Sequence, residues 1–410
     1  MYNENFFIHT LRDLIVNSDV ESIMELMCLF EEDAKDTKIL LFGIGKNKFP
    51  SQHLPIVTPT DKFSIDSING KDNFFWIDLR TSKEMLLSGT SDLKFNQCIN
   101  LDTQVVSYMM RLFRSKDIEK NEFYNSTYKI MEYLLENKFD YSAYPYMLEN
   151  SYKLETARIP IFETMGVFEY IKNSDVEKFK NHFLNNDVNY INIIDVLHTD
   201  DTIKLMERMS NETNKLKFQQ SIKCLLLKTA SLSFNTKLAF EEKASKLFQF
   251  SHDTLNLFLE RELAICLMFL KNSNDSEIFS FFKKIRKGNK KILSAIEGMA
   301  WDLLHIRELA TSIFKNYTLN SEQEFDMHSL LTFDRGLSEV LAAYPVKGLF
   351  SYKGELIWVF ESSIEDITSA NIRKYYTDEM IEERRNAHRN IKLKNILNKL
   401  EHEISSVQLQ

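Results

Sequence analysis

The stretch Asn100–Phe113, NLDTQVVSYMMRLF, constrains this chain most, because within a few residues an apolar run changes into a helix-period run around one acidic residue. Cys98, Ile99 and Leu101 precede Asp102; after it Val105, Val106, Met109, Met110 and Phe113 recur at three- and four-residue spacing. That spacing is the period of an amphipathic helix, whereas a short apolar run bounded by turn residues reads as a buried strand. A carboxylate at the C-terminal end of a strand in an α/β unit stands where such sheets bind ligands. Asp102 is therefore the first candidate site residue.

The rest of the chain supplies a helix-rich α/β context. With Gly 10 and Pro 6 in 410 residues, long helices with few tight turns are expected. Phe6–Glu32 has a helical pattern interrupted near Asn17–Asp19, which predicts two helices. Ile39–Ile44 and Phe74–Ile77 read as buried strands separated by a long loop over 49–67. A helix is expected over Ile118–Glu136, and Pro145 suits the first turn of another. From Pro160 to Leu293 the pattern is helical with polar turns (NNDVN, HTDDT, SNETN, KNSNDS) and no fixed repeat period. Ser329–Phe333 reads as a strand ending at Asp334, and Leu349–Phe360 as a hairpin broken at Lys353-Gly354. The expected organisation is an N-terminal α/β module over 1–95, a discontinuous core over 96–160 and 294–362, a helical insertion over 161–293 and a charged C-terminal helix over 363–410.

Charge and motif content remove several function classes. The net charge of −8 gives no overall attraction for nucleic acid, so any such binding needs a local basic patch. The four cysteines are far apart in apolar sequence, which reads as free thiols in a reducing compartment rather than a zinc site. No basic region precedes an apolar core at the N-terminus, and the longest apolar run, Leu263–Leu270, is about half of the ~20 residues a membrane helix needs, so a cytoplasmic protein without membrane attachment is expected. Phosphate-loop, dinucleotide-binding, nucleophile-elbow, HExxH and paired CxxC motifs are absent, which leaves nucleotide hydrolysis, hydride transfer and serine-hydrolase chemistry without support.

Three aspartates stand in related settings. Asp102 and Asp334 follow strands, and Asp302 shares a helix face with Ile306, Leu309 and Ile313. A carboxylate on an apolar face is costly to bury unless it is paired, hydrogen-bonded or metal-bound. Each also has a structural role open to it: helix cap for Asp102, helix-start charge for Asp302, turn former before Gly336 for Asp334. Asp78, in FFWIDLRTS, competes as a strand-end aspartate, but 79–84 shows no comparable apolar helix.

LDTQVVSYM resembles the first motif of PIN-like nucleases, LLTFDRGL their last, and AWDLLHIREL occupies the place of the intervening helix aspartate. A further acidic residue on a helix lies between the first and third in that family, and Glu149 in YPYMLENSY is the match; a solvated-face role stays open for it. The resemblance covers 98–160 and 300–360, and the long helical stretch between the motifs departs from compact members. It implies a PIN-like parallel sheet flanked by helices. It further implies a metal-dependent endoribonuclease in which Asp102, Asp302, Asp334 and Glu149 hold Mg²⁺ or Mn²⁺. Mutually repelling carboxylates suit a hard cation that takes only oxygen ligands and polarises water and phosphate. The large extra regions fit regulation by a protein partner or a narrow RNA substrate, as in toxin-like or defence-type nucleases.

RNA contacts are expected from the basic run Lys283, Lys284, Arg286, Lys287, Lys290 and Lys291, with Phe281 and Phe282 beside it, and from His305, Arg307 and Arg335. A solvated turn, a core histidine and ion-paired arginines are the alternatives for these groups. Two other functions stay open: a non-catalytic helical interaction protein with a degenerate core, and a structure-specific DNA nuclease.

Overall fold

The polar break at Asn17–Asp19 separates the first two helices. α1 (Tyr2–Asn17) ends where Ser18 takes the left-handed φ of 57°, and the Asp19 carboxylate accepts from the Ser22 N–H at 3.1 Å to open α2 (Val20–Leu29). The computed structural model describes residues 2–43, 48–53, 64–66, 73–185, 199–271, 280–315 and 325–408. The polar turns expected at 185–189 and 271–276, except their first residues, and most of the expected 49–67 loop lie outside those residues. The chain divides into two compact units: Met1–Asn211, Glu308–Asp334 and Val346–Phe360 in the first, and Glu212–Arg307, Arg335–Pro345 and Glu361–Gln410 in the second.

The first unit is α/β. After α3 (Glu31–Ala34) come β1 (Lys38–Phe42), β2 (Gln52–His53), β3 (Ser64–Asp66), β4 (Asn73–Ile77), α4 (Leu79–Ser88), β5 (Phe95–Leu101) and α5 (Thr103–Ser115). There follow α6 (Glu122–Glu136), β6 (Asp140–Ser142), α7 (Tyr144–Ser151), α8 (Leu154–Lys172), α9 (Val176–Asn185) and a helix Thr199–Ser210. The unit is completed by β7 (Phe325–Thr332), β8 (Val346–Tyr352) and β9 (Glu355–Phe360).

Two small sheets result. One is antiparallel, in the order β2-β4-β1-β8-β9. The other, in the order β3-β7-β5-β6, is mixed: β7, β5 and β6 run parallel, and β3 is antiparallel at the edge. The helix-rich α/β expectation therefore holds, but the sheet that carries Asp102 is mixed rather than wholly parallel. The hairpin predicted at 349–360 forms, with Lys353 and Gly354 both at positive φ in the two-residue turn. Its strand β8 pairs with β1 (Leu40↔Leu349) rather than extending the sheet of Asp102. Residues 1–95, expected as a separate module, thus share one compact unit with the strands that follow.

Each sheet is covered by helices whose apolar stripe matches it. Phe7, Leu11 and Ile15 of α1 and Ile23, Met24 and Met27 of α2 pack with Ile39, Leu41, Phe75 and Phe350 of the antiparallel sheet. Val105, Val106, Met109 and Phe113 of α5 pack with Ile99, Leu101 and Leu331 of the mixed sheet. The sheets meet through aromatic rings: Trp76 stacks on Phe325 at 4.1 Å, and Phe74 meets Phe95 edge-on at 5.0 Å.

The second unit is helical over its described residues. Helices Thr213–Phe234, Glu260–Lys271 and Leu393–Gln408, with the first part of Ile292–Lys315, supply most of its apolar core. Lys223 bridges Glu297 at 2.5 Å and Glu401 at 2.8 Å within it. The C-terminal stretch expected as one charged helix is broken into a short helix Ile364–Ile367, a 3-10 turn at Arg373–Tyr375 and two longer helices, Asp378–Arg389 and Leu393–Gln408, the last of which buries Leu393, Leu397, Leu400 and Ile404. The cysteines are free, and burial pushes Cys98, Cys224 and Cys266 up to about 12, so these thiols are poor nucleophiles. Among the described residues no helix is long and apolar enough to cross a membrane.

Gly348 sets how closely α1 lies on its sheet. A Cβ there would come within 2.9 Å of both Ile15 Cγ2 and Leu41 Cδ2. Gly348→Ala is expected to cost about 1–3 kcal/mol by overpacking, read from urea unfolding. A loss below ~0.5 kcal/mol would mean that α1 shifts freely.

Candidate metal centre

The carboxyl ends of the parallel strands bring the charges of Asp334 and Glu149 to bear on Asp102. β5 and β7 run in register to Leu101↔Leu331, and the Asp102 N–H donates to the Leu331 carbonyl at 2.9 Å, extending the ladder by one residue. The Asp102 carbonyl then accepts from Val106 at 3.1 Å and opens α5. Burying the apolar stripe of α5 draws its N-terminus against the sheet, and Asp102 is left only 4% exposed.

The Asp102 side chain makes no standard N-cap bond to its helix, and its carboxylate is held instead by the Thr103 backbone and by the adjacent strand. Its Oδ2 accepts from the Thr332 hydroxyl at 2.8 Å. The same hydroxyl oxygen accepts from the Asp334 N–H at 3.0 Å, so Thr332 ties both strand-end aspartates together. Burial pushes the Asp102 carboxyl up to about 6, against the hydrogen bonds from Thr332 and the Thr103 backbone, and the negative charges of Glu149 and Asp334 push it in the same direction as burial.

Glu149 arrives from the third parallel strand. β6 pairs with β5 through Asn100↔Ser142, and Tyr144-Pro145 opens α7, which carries Glu149. Its side chain is 20% exposed and meets Lys153 one turn on at 2.9 Å. The Tyr144 hydroxyl at the head of the same helix donates to Glu308 at 3.0 Å. Thr332 is a member, and Glu308 a partner of the Glu149 helix, that the sequence did not single out. The Thr two residues before a strand-end Asp was a readable signal for the first; Glu308 depends on a partner 164 residues away.

Asp302 and His305 lie on helix Ile292–Lys315, in the part belonging to the second unit, with Asp302 half-buried and His305 2% exposed. The His305 ring packs 6.1 Å from that of Trp301, a core setting. Arg307 grips Glu262 through two bonds of 2.5 Å, and Glu262 is almost fully buried. That guanidinium is committed to a structural pair. Arg335 is exposed at the start of helix Arg335–Ala343.

The basic run forms a turn before helix Ile292–Lys315, with Lys283, Arg286, Lys287, Lys290 and Lys291 exposed and Lys284 half-buried. Phe281 and Phe282 are fully buried, and Phe282 stacks on Phe269 at 4.3 Å. Base stacking by these two rings is thereby excluded, because apolar packing already uses both.

Asp78 is also a strand-end aspartate, and a helix does follow it. Sequence hid α4 because its first turn is polar. The Asp78 carboxylate is used up by the fold, accepting from Thr81 N–H at 2.8 Å and Trp76 Nε1 at 3.2 Å.

No known protein family matches this chain, and no curated protein or solved structure is significantly similar to it. The site's chemistry thus rests on its own donors. Asp102, Asp334 and Glu149 offer oxygen, the donor that a hard divalent cation takes.

The raised Asp102 carboxyl makes a signed prediction. Its contribution to stability is full below its unfolded value near 3.8 and is lost as pH rises through about 6. Asp102→Asn is therefore expected to stabilise the metal-free protein at pH 8 by roughly 2–3 kcal/mol and to leave it unchanged near pH 3.5. Chemical unfolding at the two pH values measures this, and a variant less stable than wild type at pH 8 would contradict the assignment.

Proposed function

We propose that this protein is a Mg²⁺- or Mn²⁺-dependent endoribonuclease with a PIN-like core, hydrolysing RNA phosphodiester bonds at the carboxyl end of its parallel strands. One observation carries the reading: Asp102, Asp334 and Glu149 follow three adjacent parallel strands and repel one another at a buried carboxylate. A divalent cation bound there would relieve that repulsion, activate a water and neutralise charge on the phosphate.

The residues divide the remaining work. Asp102 and Asp334 would hold the cation, with Thr332 orienting the Asp102 carboxylate and the Asp334 backbone, and Glu149 would complete the donor set or accept a proton from the attacking water. Asp302 is assigned with them from its place in the sequence motif. The exposed lysines and arginines of the 283–291 turn contact the RNA backbone by charge.

The decisive experiment is cleavage of a labelled RNA pool with Mn²⁺, with Mg²⁺ and with chelator, beside an Asp102→Asn, Asp334→Asn chain shown to be folded. Metal-dependent cleavage lost in the variant is expected. Parallel digestion of branched DNA separates the DNA nuclease reading, and no cleavage of either substrate would favour the interaction protein. Asp302→Asn, assayed alone, decides whether that residue belongs.

Thr332→Val keeps the side-chain volume while removing the hydroxyl tie. It is expected to weaken metal-dependent activity about 10–100-fold, mostly through apparent metal affinity, as loss of a ligand-orienting partner does. Activity equal to wild type at limiting Mn²⁺ would remove Thr332 from the site.

A further inference from the structure

The acidic total hides a division of charge. The second unit holds 25 Lys and Arg against 20 Asp and Glu, a net of +5 in a chain whose total is −8. Such a surplus attracts a polyanion where it is concentrated and left unpaired. Two stretches of this unit contain no carboxylate: helix Thr213–Phe234, with Lys215, Lys217, Lys223 and Lys228, and residues 384–400, with six Lys and Arg.

Burial decides which of these charges the fold uses. On helix Asp378–Arg389, Arg384 and His388 lie one turn apart and face inward. Arg384 is 6% exposed, donates to the Tyr375 carbonyl and stands over the Phe258 ring at 4.7 Å, and His388 Nδ1 lies 2.9 Å from the Leu255 carbonyl. That anchoring turns Arg385 and Arg389, also one turn apart, outward. On helix Leu393–Gln408 the buried Leu393, Leu397 and Leu400 leave Lys392, at its head, and Lys399 on one exposed face, with Lys394 exposed beside it.

The two stretches meet. The Lys217 ammonium donates to the Arg389 carbonyl at 2.9 Å, and further along the same helix Lys223 reaches Glu401 at 2.8 Å, so helices Thr213–Phe234 and Leu393–Gln408 run side by side in the same direction. Their N-terminal ends open at one corner, where the macrodipoles add to the positive field. The carboxylates around these stretches are committed elsewhere: Glu212 to Lys215 at 2.7 Å, Glu382 to Arg385 at 3.0 Å, Glu297 and Glu401 to Lys223, and Glu383 beside the buried Arg384. Arg389, Lys392, Lys394 and Lys399 are exposed and meet no carboxylate among the described residues.

Phe218, next to Lys217, is 38% exposed. An exposed aromatic ring beside unpaired cations suits an unpaired strand, with phosphates on the cations and a base stacked on the ring. A lipid surface needs a broader apolar face than one ring. We propose that this corner of the second unit, distinct in sequence from the 283–291 turn, binds single-stranded nucleic acid. The choice of RNA rests on the nuclease reading; the surface does not.

Fluorescence anisotropy of the full chain in chelator, where metal-dependent cleavage is silent, tests it with labelled single-stranded RNA, the same sequence as DNA, the RNA duplex and anionic vesicles over a range of salt. Single strands are expected to bind more tightly than the duplex, with affinity falling as salt rises. Tighter binding of RNA names RNA as the ligand; the reverse names DNA. The Arg389→Gln, Lys392→Gln, Lys394→Gln chain is expected to lower the slope of log affinity against log salt by about 2, at roughly 0.7 per phosphate contact. Phe218→Ala is expected to weaken single strands about tenfold and leave the slope unchanged, as loss of a stacked base does. Binding by a chain that shows no metal-dependent cleavage would sink the nuclease reading and support this surface. Three results would overturn the proposal. One is no saturable binding of either single strand. Another is unchanged affinity and slope in a triple variant shown by circular dichroism to be folded, which would put all contact on the 283–291 turn. The third is vesicles bound more tightly than nucleic acid, which would assign the surface to a membrane.

Discussion

The parallel pairing of β5 with β7 is the interaction on which the first unit depends. Parallel neighbours cannot be joined by a tight turn, so the chain must travel far before it returns to the sheet. Here Asp102 and Thr332 are 230 residues apart in sequence and share a 2.8 Å hydrogen bond. Because the strands end in register, the residues after them emerge together, and α5 can cover the sheet only by pressing Asp102 into the interior. The position of the acids is therefore a consequence of strand register and helix burial acting together.

That arrangement is costly by itself. A buried carboxylate facing two other acids destabilises the folded chain unless something positive is bound, and the single hydroxyl of Thr332 offsets only part of it. Proteins retain such groups where they use them, which is why the perturbed Asp102 points to function more strongly than an exposed acidic patch would.

Much of the local structure was legible. The break at Asn17–Asp19, the strands around Leu40 and Phe75, the helix after Asp102, the Pro145 start and the Lys353-Gly354 turn all follow from period, capping or left-handed backbone preference. The helix after Asp78 was hidden, because its first turn is polar and its stability comes from a reciprocal cap between Asp78 and Thr81. The pairing of β8 with β1 was hidden too, since both are apolar strands with no mark naming a partner. The aromatics beside the basic run were readable only as aromatic; their burial against Phe269 decided that they do not face a ligand.

By itself, the sequence determined where helices and strands begin and which residue types close them, because periodicity and capping act over a few residues. It also marked Asp102, Asp302 and Asp334 as carboxylates in unusual settings, and Glu149 through the family resemblance. Only the tertiary structure decided that β7, β5 and β6 lie side by side, that Thr332 joins the two strand-end aspartates, and that Arg307 belongs to Glu262. Those facts depend on contacts between residues far apart in the chain, and local propensity carries no information about which distant partner is met.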